Sequence, residues 1–312
     1  MDKNRQLLTV IVLFLALTAI LSIVRISISM NNSGAKSKLG FPDNSPGIGV
    51  IQIYGPITTS GESGAFSQSG GSDAIVEKLD QMQNDPKIKA VVIRINSPGG
   101  TVAATQEIFR KITEMRQQNI PVVASMSDLA ASGGYYVASA CSYIFANQGT
   151  ITGSIGVIIS SPNFKDLFEK YGISMNVIKS GRYKDILSSS RELEDDEREL
   201  LQSVIDNTYR QFLKDVSLGR NMPIDEFSDY ADGRIFSGSQ ALEYRLVDEI
   251  GTYSDSIKKA KGLARLEDNA PVYLESTSPF DQFFKSLEGR ISSFDTPAAL
   301  LNHSLVEYRY VQ

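Results

Sequence analysis

Histidine is almost absent from this chain of 312 residues, and the one histidine, His303, lies close to the carboxyl terminus. A serine–histidine–aspartate triad, a cysteine–histidine pair and a histidine-ligated metal are therefore excluded from the body of the chain. Cysteine is equally scarce, because Cys141 is the only one. A single cysteine excludes an internal disulfide framework and a multi-cysteine metal site. We expect Cys141 to be a small, buried apolar residue.

An excess of positive charge is also lacking. The chain has 31 Lys and Arg residues against 36 Asp and Glu residues, a net charge of -5, and no block rich in basic residues. Nucleic-acid binding would need a basic face, so we expect no nucleic-acid partner. With 42% hydrophobic residues, the chain can bury a proper core. A hydrolytic serine in this protein would need a base other than histidine, and lysine is the economical choice.

Charged residues are missing from one long segment near the amino terminus. From Leu7 to Val24 every residue is apolar or small, which is just long enough to span a bilayer. A cleaved signal peptide would have a shorter apolar region and a small-residue exit site, and neither is evident. We therefore predict a cytoplasmic amino terminus and transmembrane anchor over residues 1–29, followed by a polar linker over residues 30–46. We expect the remainder of the chain to lie outside the cytoplasm.

Short β-branched runs alternate with amphipathic segments after the linker. Strands alternating with helices predict βαβ units and a largely parallel, covered sheet, and therefore an α/β fold. A helix that Ser72 caps and that runs to about Asn84 is predicted between the first two strands. The predicted strands are Gly49–Tyr54, Ile88–Ile95, Pro121–Met126, Tyr143–Ala146 and a strand that ends near Ile178. The other predicted helices are Val102–Gln118, a short helix after Ser132, Asp195–Leu218 and Thr252–Leu263.

Two motifs of small residues follow predicted strands, where α/β folds place reactive groups. The motif Asn-Ser-Pro-Gly-Gly at 96–100 has two glycines that can leave N–H groups facing an oxyanion, although a plain strand-to-helix turn explains it as well. Ser132 precedes Gly133 and Gly134 at the start of the short helix. It is either a nucleophile that the helix dipole favours or an ordinary helix cap.

Two further motifs lie downstream. Ser154 stands in Thr-Gly-Ser-Ile-Gly-Val at 152–157, where it either hydrogen-bonds a catalytic amine or holds a turn. Lys184 stands in Ser-Gly-Arg-Tyr-Lys-Asp at 180–185. A lysine can act as a base if burial and cationic neighbours hold it neutral, and otherwise it is a solvated surface residue.

These four motifs, in this order and at this spacing, closely resemble the short, single-domain form of the signal peptide peptidase A family. That family comprises serine proteases of the crotonase and ClpP-like superfamily. The resemblance covers most of the chain from Gly47 to about Leu266. It implies a crotonase/ClpP-like fold of repeated βαβ units with a mostly parallel sheet, preceded by the transmembrane helix. We take residues 47–278 as the protease domain and residues 279–312 as a carboxyl-terminal tail.

The resemblance also implies roles for individual residues. Ser132 would be the nucleophile, Lys184 the general base, and Ser154 the residue that orients Lys184. Main-chain N–H groups of Gly99 and Gly133 would form the oxyanion hole. No cofactor and no metal is implied.

Each motif occurs once, and the chain shows no internal repeat. The resemblance therefore implies a homo-oligomer, a ring or dome such as an octamer, in which Ser132 and Lys184 meet between neighbouring protomers. Its expected substrates are signal-peptide remnants and other unfolded apolar peptides at the bacterial cell membrane. A crotonase-fold acyl-CoA enzyme and a non-catalytic membrane scaffold of the same fold remain as alternatives. The first would need neither the membrane span nor the Lys184 motif, and the second would have no reason to keep both serines and the lysine.

Overall fold

The computed structural model describes residues 45–59 and 71–274, together with the backbone of residues 307–309. The predicted membrane anchor, nearly all of the predicted linker and most of the predicted tail lie outside these ranges. No helix within them combines the length and the apolar composition that crossing a bilayer requires.

The core of the fold is one eight-stranded sheet. Its strands are β1 (Gly47–Tyr54), β2 (Ile88–Ser97), β4 (Val122–Ala131), β5 (Tyr143–Ala146), β6 (Ile151–Gly153), β7 (Ile235–Ser237), β8 (Glu249–Ile250) and β9 (Val272–Leu274), while β3 (Gly99–Thr101) lies outside it. The order is β7-β6-β4-β2-β1-β9, with β5 beside β4 and β8 beside β5. All pairs are parallel except β6 with β7. The predicted α/β class with a mostly parallel sheet is confirmed.

Helices cover both faces of this sheet. They are α1 (Gly71–Asn84), α2 (Val102–Gln117), α3 (Gly133–Ser139), α4 (Lys165–Lys170), α5 (Asp195–Arg220), α6 (Gly238–Glu243) and α7 (Tyr253–Leu263). The larger apolar cluster joins one face of the sheet to α1, α2, α3 and α5. A smaller cluster packs α7 on the opposite face, against β1, β2 and Phe145. Burial of the central strands on both faces explains the unbroken apolar run Ala90–Ile93 in β2.

Most predicted elements are found within a few residues of their predicted bounds, and three differences matter for the site. Strand β4 continues to Ala131 and so leads directly into Ser132. Ser72 is not a helix cap, because it lies inside α1 and its hydroxyl donates to the Glu107 carboxylate at 3.0 Å. The strand predicted to end near Ile178 is wrong. Residues 173–177 alternate apolar and polar side chains, but in the described part of the chain they pair with no strand, and Ile178 is fully exposed.

Candidate active site

The predicted nucleophile and its neighbouring serine follow two adjacent parallel strands. Ser132 comes directly after β4, and Ser154 comes directly after β6. Ala131 pairs with Gly153, and the backbone N–H of Ser132 donates to the Gly153 carbonyl at 2.8 Å. The strand register therefore places these two serines next to each other at the carboxyl end of the sheet, where α/β folds carry their sites.

Ser132 has an unusual backbone conformation, with φ 54° and ψ -116°. A positive φ is costly for a residue with a Cβ atom, and such strain concentrates at functional sites. Ser132 is only 1% exposed, and its Oγ has no hydrogen-bond partner in the described ranges. It stands at the N-cap position of α3 but makes no capping hydrogen bond through its side chain. A strained, buried and unpaired hydroxyl is what a nucleophile awaiting its base would present, and an ordinary cap would not leave it unpaired.

The two glycine motifs pack directly against each other. A Cβ atom at Gly133 would lie 2.7 Å from Thr105 Cγ2, 3.0 Å from the Gly100 nitrogen and 3.1 Å from the Gly99 Cα. A Cβ atom at Gly134 would lie 2.8 Å from the Ser97 carbonyl oxygen. Only glycine fits at these contacts, so the Asn-Ser-Pro-Gly-Gly loop and the start of α3 form one close-packed wall beside Ser132.

The two predicted oxyanion donors differ in their surroundings. Gly133 is the first residue of α3, so its N–H has no acceptor within the helix and remains available to a ligand. The Gly99 N–H donates instead to the Ser97 Oγ at 3.1 Å, and Gly99 has a φ of 107°. Gly99 would have to give up this bond to serve an oxyanion.

Strand β3 forms the rim of this wall. On one side the Ile57 N–H donates to the Gly99 carbonyl at 2.9 Å, and the Thr101 N–H donates to the Ile57 carbonyl at 2.8 Å. On its other side β3 pairs antiparallel with β10 (Glu307–Arg309), so that Tyr308 lies opposite Gly100. The edge of β3 thus accepts an extended chain next to the predicted oxyanion hole.

Lys184 lies in a different setting. It belongs to the short 3₁₀ turn Arg182–Asp185, which is exposed except for Asp185. Its side chain makes no hydrogen bond or ion pair with any other part of the chain that the structure describes. Because the Ser132 Oγ is also unpaired, one chain alone does not join the predicted nucleophile to the predicted base. The fold brings the two serines and the glycines together but leaves Lys184 outside this group.

Sequence reasoning missed an ionic cluster beside Lys184. Arg191 donates to the Asp185 carboxylate at 2.9 and 3.1 Å and to the Glu197 carboxylate at 2.5 and 2.7 Å. The Arg191 guanidinium, with the Lys179 ammonium, holds the pKa of the Asp185 carboxyl well below its usual range. Arg191 and the Glu194 backbone N–H lower the pKa of Glu197 to about 2. An arginine at equal spacing between two acidic residues is the sequence signal that could have revealed this cluster.

Three residues with potentially reactive side chains are part of the buried core: Tyr135, Tyr136 and Cys141. Tyr135 and Tyr136 are fully buried, and their hydroxyls donate to the Leu246 carbonyl and the Asp215 carboxylate. They pack the core and do not line an open groove. Cys141 is buried as predicted, and burial raises the pKa of its thiol to about 12.

Comparisons with known proteins identify the family to which the chain belongs. The profile of Peptidase family S49 matches residues 114–267, and the Clp protease profile matches residues 64–146. A Synechocystis sp. protein named as a protease is 45% identical over 74% of this chain and 82% of its own length. An Enterococcus faecium protein named as signal peptide peptidase SppA is 35% identical over 74% of this chain and 67% of its own length. Serine protease SPPA of Arabidopsis thaliana chloroplasts is 36% identical over 74% of this chain, which spans 33% of that protein.

The fold and these matches together define a serine protease with a ClpP-like α/β fold. The chain belongs to peptidase family S49, as a short form of the signal peptide peptidase A type. This assignment decides against the acyl-CoA enzyme and the non-catalytic scaffold.

Proposed function

We propose that this protein is a membrane-anchored serine endopeptidase that degrades remnant signal peptides and other apolar peptides. Ser132 acts as its nucleophile and Lys184 as its general base. The observation that carries the proposal is the buried and unpaired hydroxyl of Ser132, held in strained backbone between two glycine motifs. The strain fixes the hydroxyl in advance, so little ordering is left for the reaction itself.

The proposed mechanism is acyl transfer. Neutral Lys184 accepts the hydroxyl proton of Ser132, and the Ser132 Oγ attacks the carbonyl carbon of the peptide bond. The Gly133 N–H and the Gly99 N–H stabilise the negative charge that develops on the carbonyl oxygen. Lys184 then protonates the leaving amine and activates a water molecule that hydrolyses the acyl-enzyme. Ser154, next to Ser132, orients the Lys184 ammonium during these steps.

We propose further that Lys184 reaches Ser132 from a neighbouring protomer of a homo-oligomer. The support is a long exposed segment that precedes Lys184 and is rich in apolar side chains. Its exposed members are Ile158, Phe164, Leu167, Tyr171, Ile173, Met175, Val177 and Ile178. Such apolar patches are characteristic of interaction surfaces. A head-to-tail contact through this segment would close into a ring, and each site would then take Ser132 and Lys184 from different chains.

Two features support the proposed location and substrate class. The apolar run from Leu7 to Val24 supports an anchor in the bacterial cell membrane, with the protease domain outside the cytoplasm. A tethered protease meets the apolar peptides that remain in that membrane after secretion. The edge of β3 can hold such a peptide in extended form by main-chain hydrogen bonds, which places no demand on its sequence.

The test uses the full-length chain in detergent and a fluorogenic peptide rich in leucine and alanine. Ser132→Ala and Lys184→Ala should each lower kcat by at least about 10⁴-fold, because members of such a dyad act as one unit. Ser72→Ala is the control, because Ser72 is equally buried but its hydroxyl is bonded to Glu107. Cleavage by Ser132→Ala at the rate of the unmodified enzyme would remove Ser132 from the mechanism.

Sharing between protomers is tested by co-expressing the two inactive variants with different affinity tags. If each site combines two chains, random mixing restores about a quarter of the activity, because a working site needs Ser132 from one chain and Lys184 from its neighbour. A doubly purified mixture without activity would show that both residues must come from the same chain.

A further inference from the structure

Arg191 joins the turn that carries Lys184 to the first turn of α5. Its Nε and Nη2 atoms donate to the two carboxylate oxygens of Asp185, and Nη2 also donates to the Asp185 carbonyl at 3.2 Å. Its Nη1 and Nη2 atoms donate to the two carboxylate oxygens of Glu197. A planar guanidinium can hold two carboxylates in this fixed geometry, and a lysine ammonium cannot.

Glu197, the residue that Arg191 contacts on α5, is held firmly in place. Glu197 is 1% exposed, and its carboxylate accepts the Glu194 N–H at 3.0 Å in a capping box at the start of α5. Helix α5 in turn buries Phe212 and Val216 completely. The exposed turn with Lys184 is therefore connected through Arg191 to a helix that the core holds in place.

Several charged side chains on and near the turn that carries Lys184 pair with one another. On its own turn stand Arg182 and Asp185, and Lys179 just before them donates to both the Arg182 carbonyl and the Asp185 carboxylate. From α5 and the residues before it, Glu194 and Asp196 pair with Arg182, Tyr183 donates to Asp196, and Glu197 pairs with Arg191. From α4, Lys165 pairs with Glu192. The carboxylate nearest to Lys184 in sequence, that of Asp185, is thus fully engaged by Arg191 and Lys179.

Resting on the assignment of Lys184 as general base, we propose that Arg191 is a positioning residue for that lysine. It fixes the 3₁₀ turn on α5, so that Lys184 is presented in one orientation. It also occupies the Asp185 carboxylate, which would otherwise be free to pair with the adjacent Lys184 ammonium. Lys184 consequently stays free to take the proton of Ser132.

The experiment measures kcat, KM and their pH dependence for the full-length enzyme with the fluorogenic leucine- and alanine-rich peptide. Arg191→Gln should lower kcat on the order of 10²-fold, as expected for a misplaced catalytic group, with little change in KM. A lysine base predicts activity that rises toward alkaline pH, and in Arg191→Gln this rise should move to higher pH, because the released Asp185 carboxylate favours the protonated lysine. Arg191→Lys should keep the pH profile near that of the unmodified enzyme and recover part of kcat. The double variant Arg191→Gln/Asp185→Asn should return the pH profile but not kcat.

Arg220→Gln is the matched control. Arg220 ends the same helix and donates to both carboxylate oxygens of Asp248 at 2.7 and 2.9 Å, far from Lys184 in the sequence. Its loss should lower the thermal unfolding midpoint and leave the pH profile unchanged. A merely structural role for Arg191 would give the same result as this control, and that result would overturn the proposal.

Asp185→Asn covers the case in which Arg191→Gln does not fold. It releases the turn but leaves the Arg191–Glu197 pair intact, so it should lower kcat without moving the pH profile upward. Full kcat in Asp185→Asn would overturn the proposal.

If Ser132→Ala and Lys184→Ala remain active, the proposed function itself fails. If both are inactive while Arg191→Gln matches the unmodified enzyme, only the role of Arg191 fails.

Discussion

Replacing Gly133 by alanine tests whether the packed glycine wall builds the oxyanion hole. The new methyl group would lie 2.7 Å from Thr105 Cγ2, 3.0 Å from the Gly100 nitrogen and 3.1 Å from the Gly99 Cα. The first contact involves a buried side chain and the other two involve backbone, so none of them can yield freely. The start of α3 and the Asn-Ser-Pro-Gly-Gly loop must therefore move apart.

The size of the effect follows from these contacts. Overpacking of this kind costs about 1–3 kcal/mol of folding free energy. For a domain of this size the thermal midpoint falls by about 2–4 °C for each kcal/mol. The displaced N–H of Gly133 no longer points at the developing oxyanion, and losing one such donor lowers kcat on the order of 10²- to 10³-fold. We expect KM to change little, because the donor acts mainly in the transition state.

The assay combines thermal unfolding with steady-state cleavage of the fluorogenic peptide. Thr105→Ser added to Gly133→Ala removes the nearest contact and keeps the hydroxyl that donates to the Thr101 and Val102 carbonyls. Partial recovery of kcat is expected, since the two backbone contacts remain. Gly262→Ala is the control, because a Cβ atom there meets nothing within 4 Å and alanine favours the helix. Unchanged kcat in Gly133→Ala would refute the assignment of this N–H to the oxyanion hole.

Three other predictions concern Cys141, the carboxyl-terminal strand and acid stability. Cys141 should resist a maleimide reagent in the folded protein and react once urea unfolds it, because burial raises the pKa of its thiol to about 12; labelling of the folded protein would contradict the burial. Tyr308→Pro should lower KM for peptides, because proline breaks the pairing of β10 with β3 and frees that edge; an unchanged KM would mean that β10 does not compete with substrate. The pKa of Glu197 falls from 4.5 to about 2 on folding, so its stabilising effect is complete above 4.5 and is lost as the pH falls toward 2. The difference in the free energy of unfolding between neutral and acid pH, measured with urea, should be smaller in Arg191→Gln than in the unmodified protein. An equal difference would exclude the Arg191–Glu197 pair as the cause.

The serine half of the site could be predicted from the sequence because its determinants are local. Strand β4 begins with the short apolar run Val122–Ala124, and the glycines that follow the strand leave room only for close backbone packing. The strained backbone of Ser132 could not be predicted. It depends on the register that pairs Ala131 with Gly153 and on the contact between the start of α3 and strand β3, which are distant in the sequence. Ser72 was wrongly predicted as a helix cap because a serine at a helix start commonly has that role. The sequence does not show that Glu107, on α2, lies close enough to accept its hydroxyl hydrogen bond.

The lysine half was less predictable for a physical reason. Residues 173–177 have the alternating pattern of a strand, yet alternation guarantees only that one face is apolar and does not provide a partner strand. Their apolar side chains remain exposed in the described chain, and Lys184 follows them without a partner of its own. The sequence pattern therefore identified the apolar side chains of this segment but wrongly predicted that they belong to a strand of the sheet. A contact with another chain would satisfy both the exposed apolar residues and the unpaired Ser132 hydroxyl. Under the proposal, a single contact with a neighbouring protomer would account for both features, and this is the main reason for seeking the base of Ser132 there.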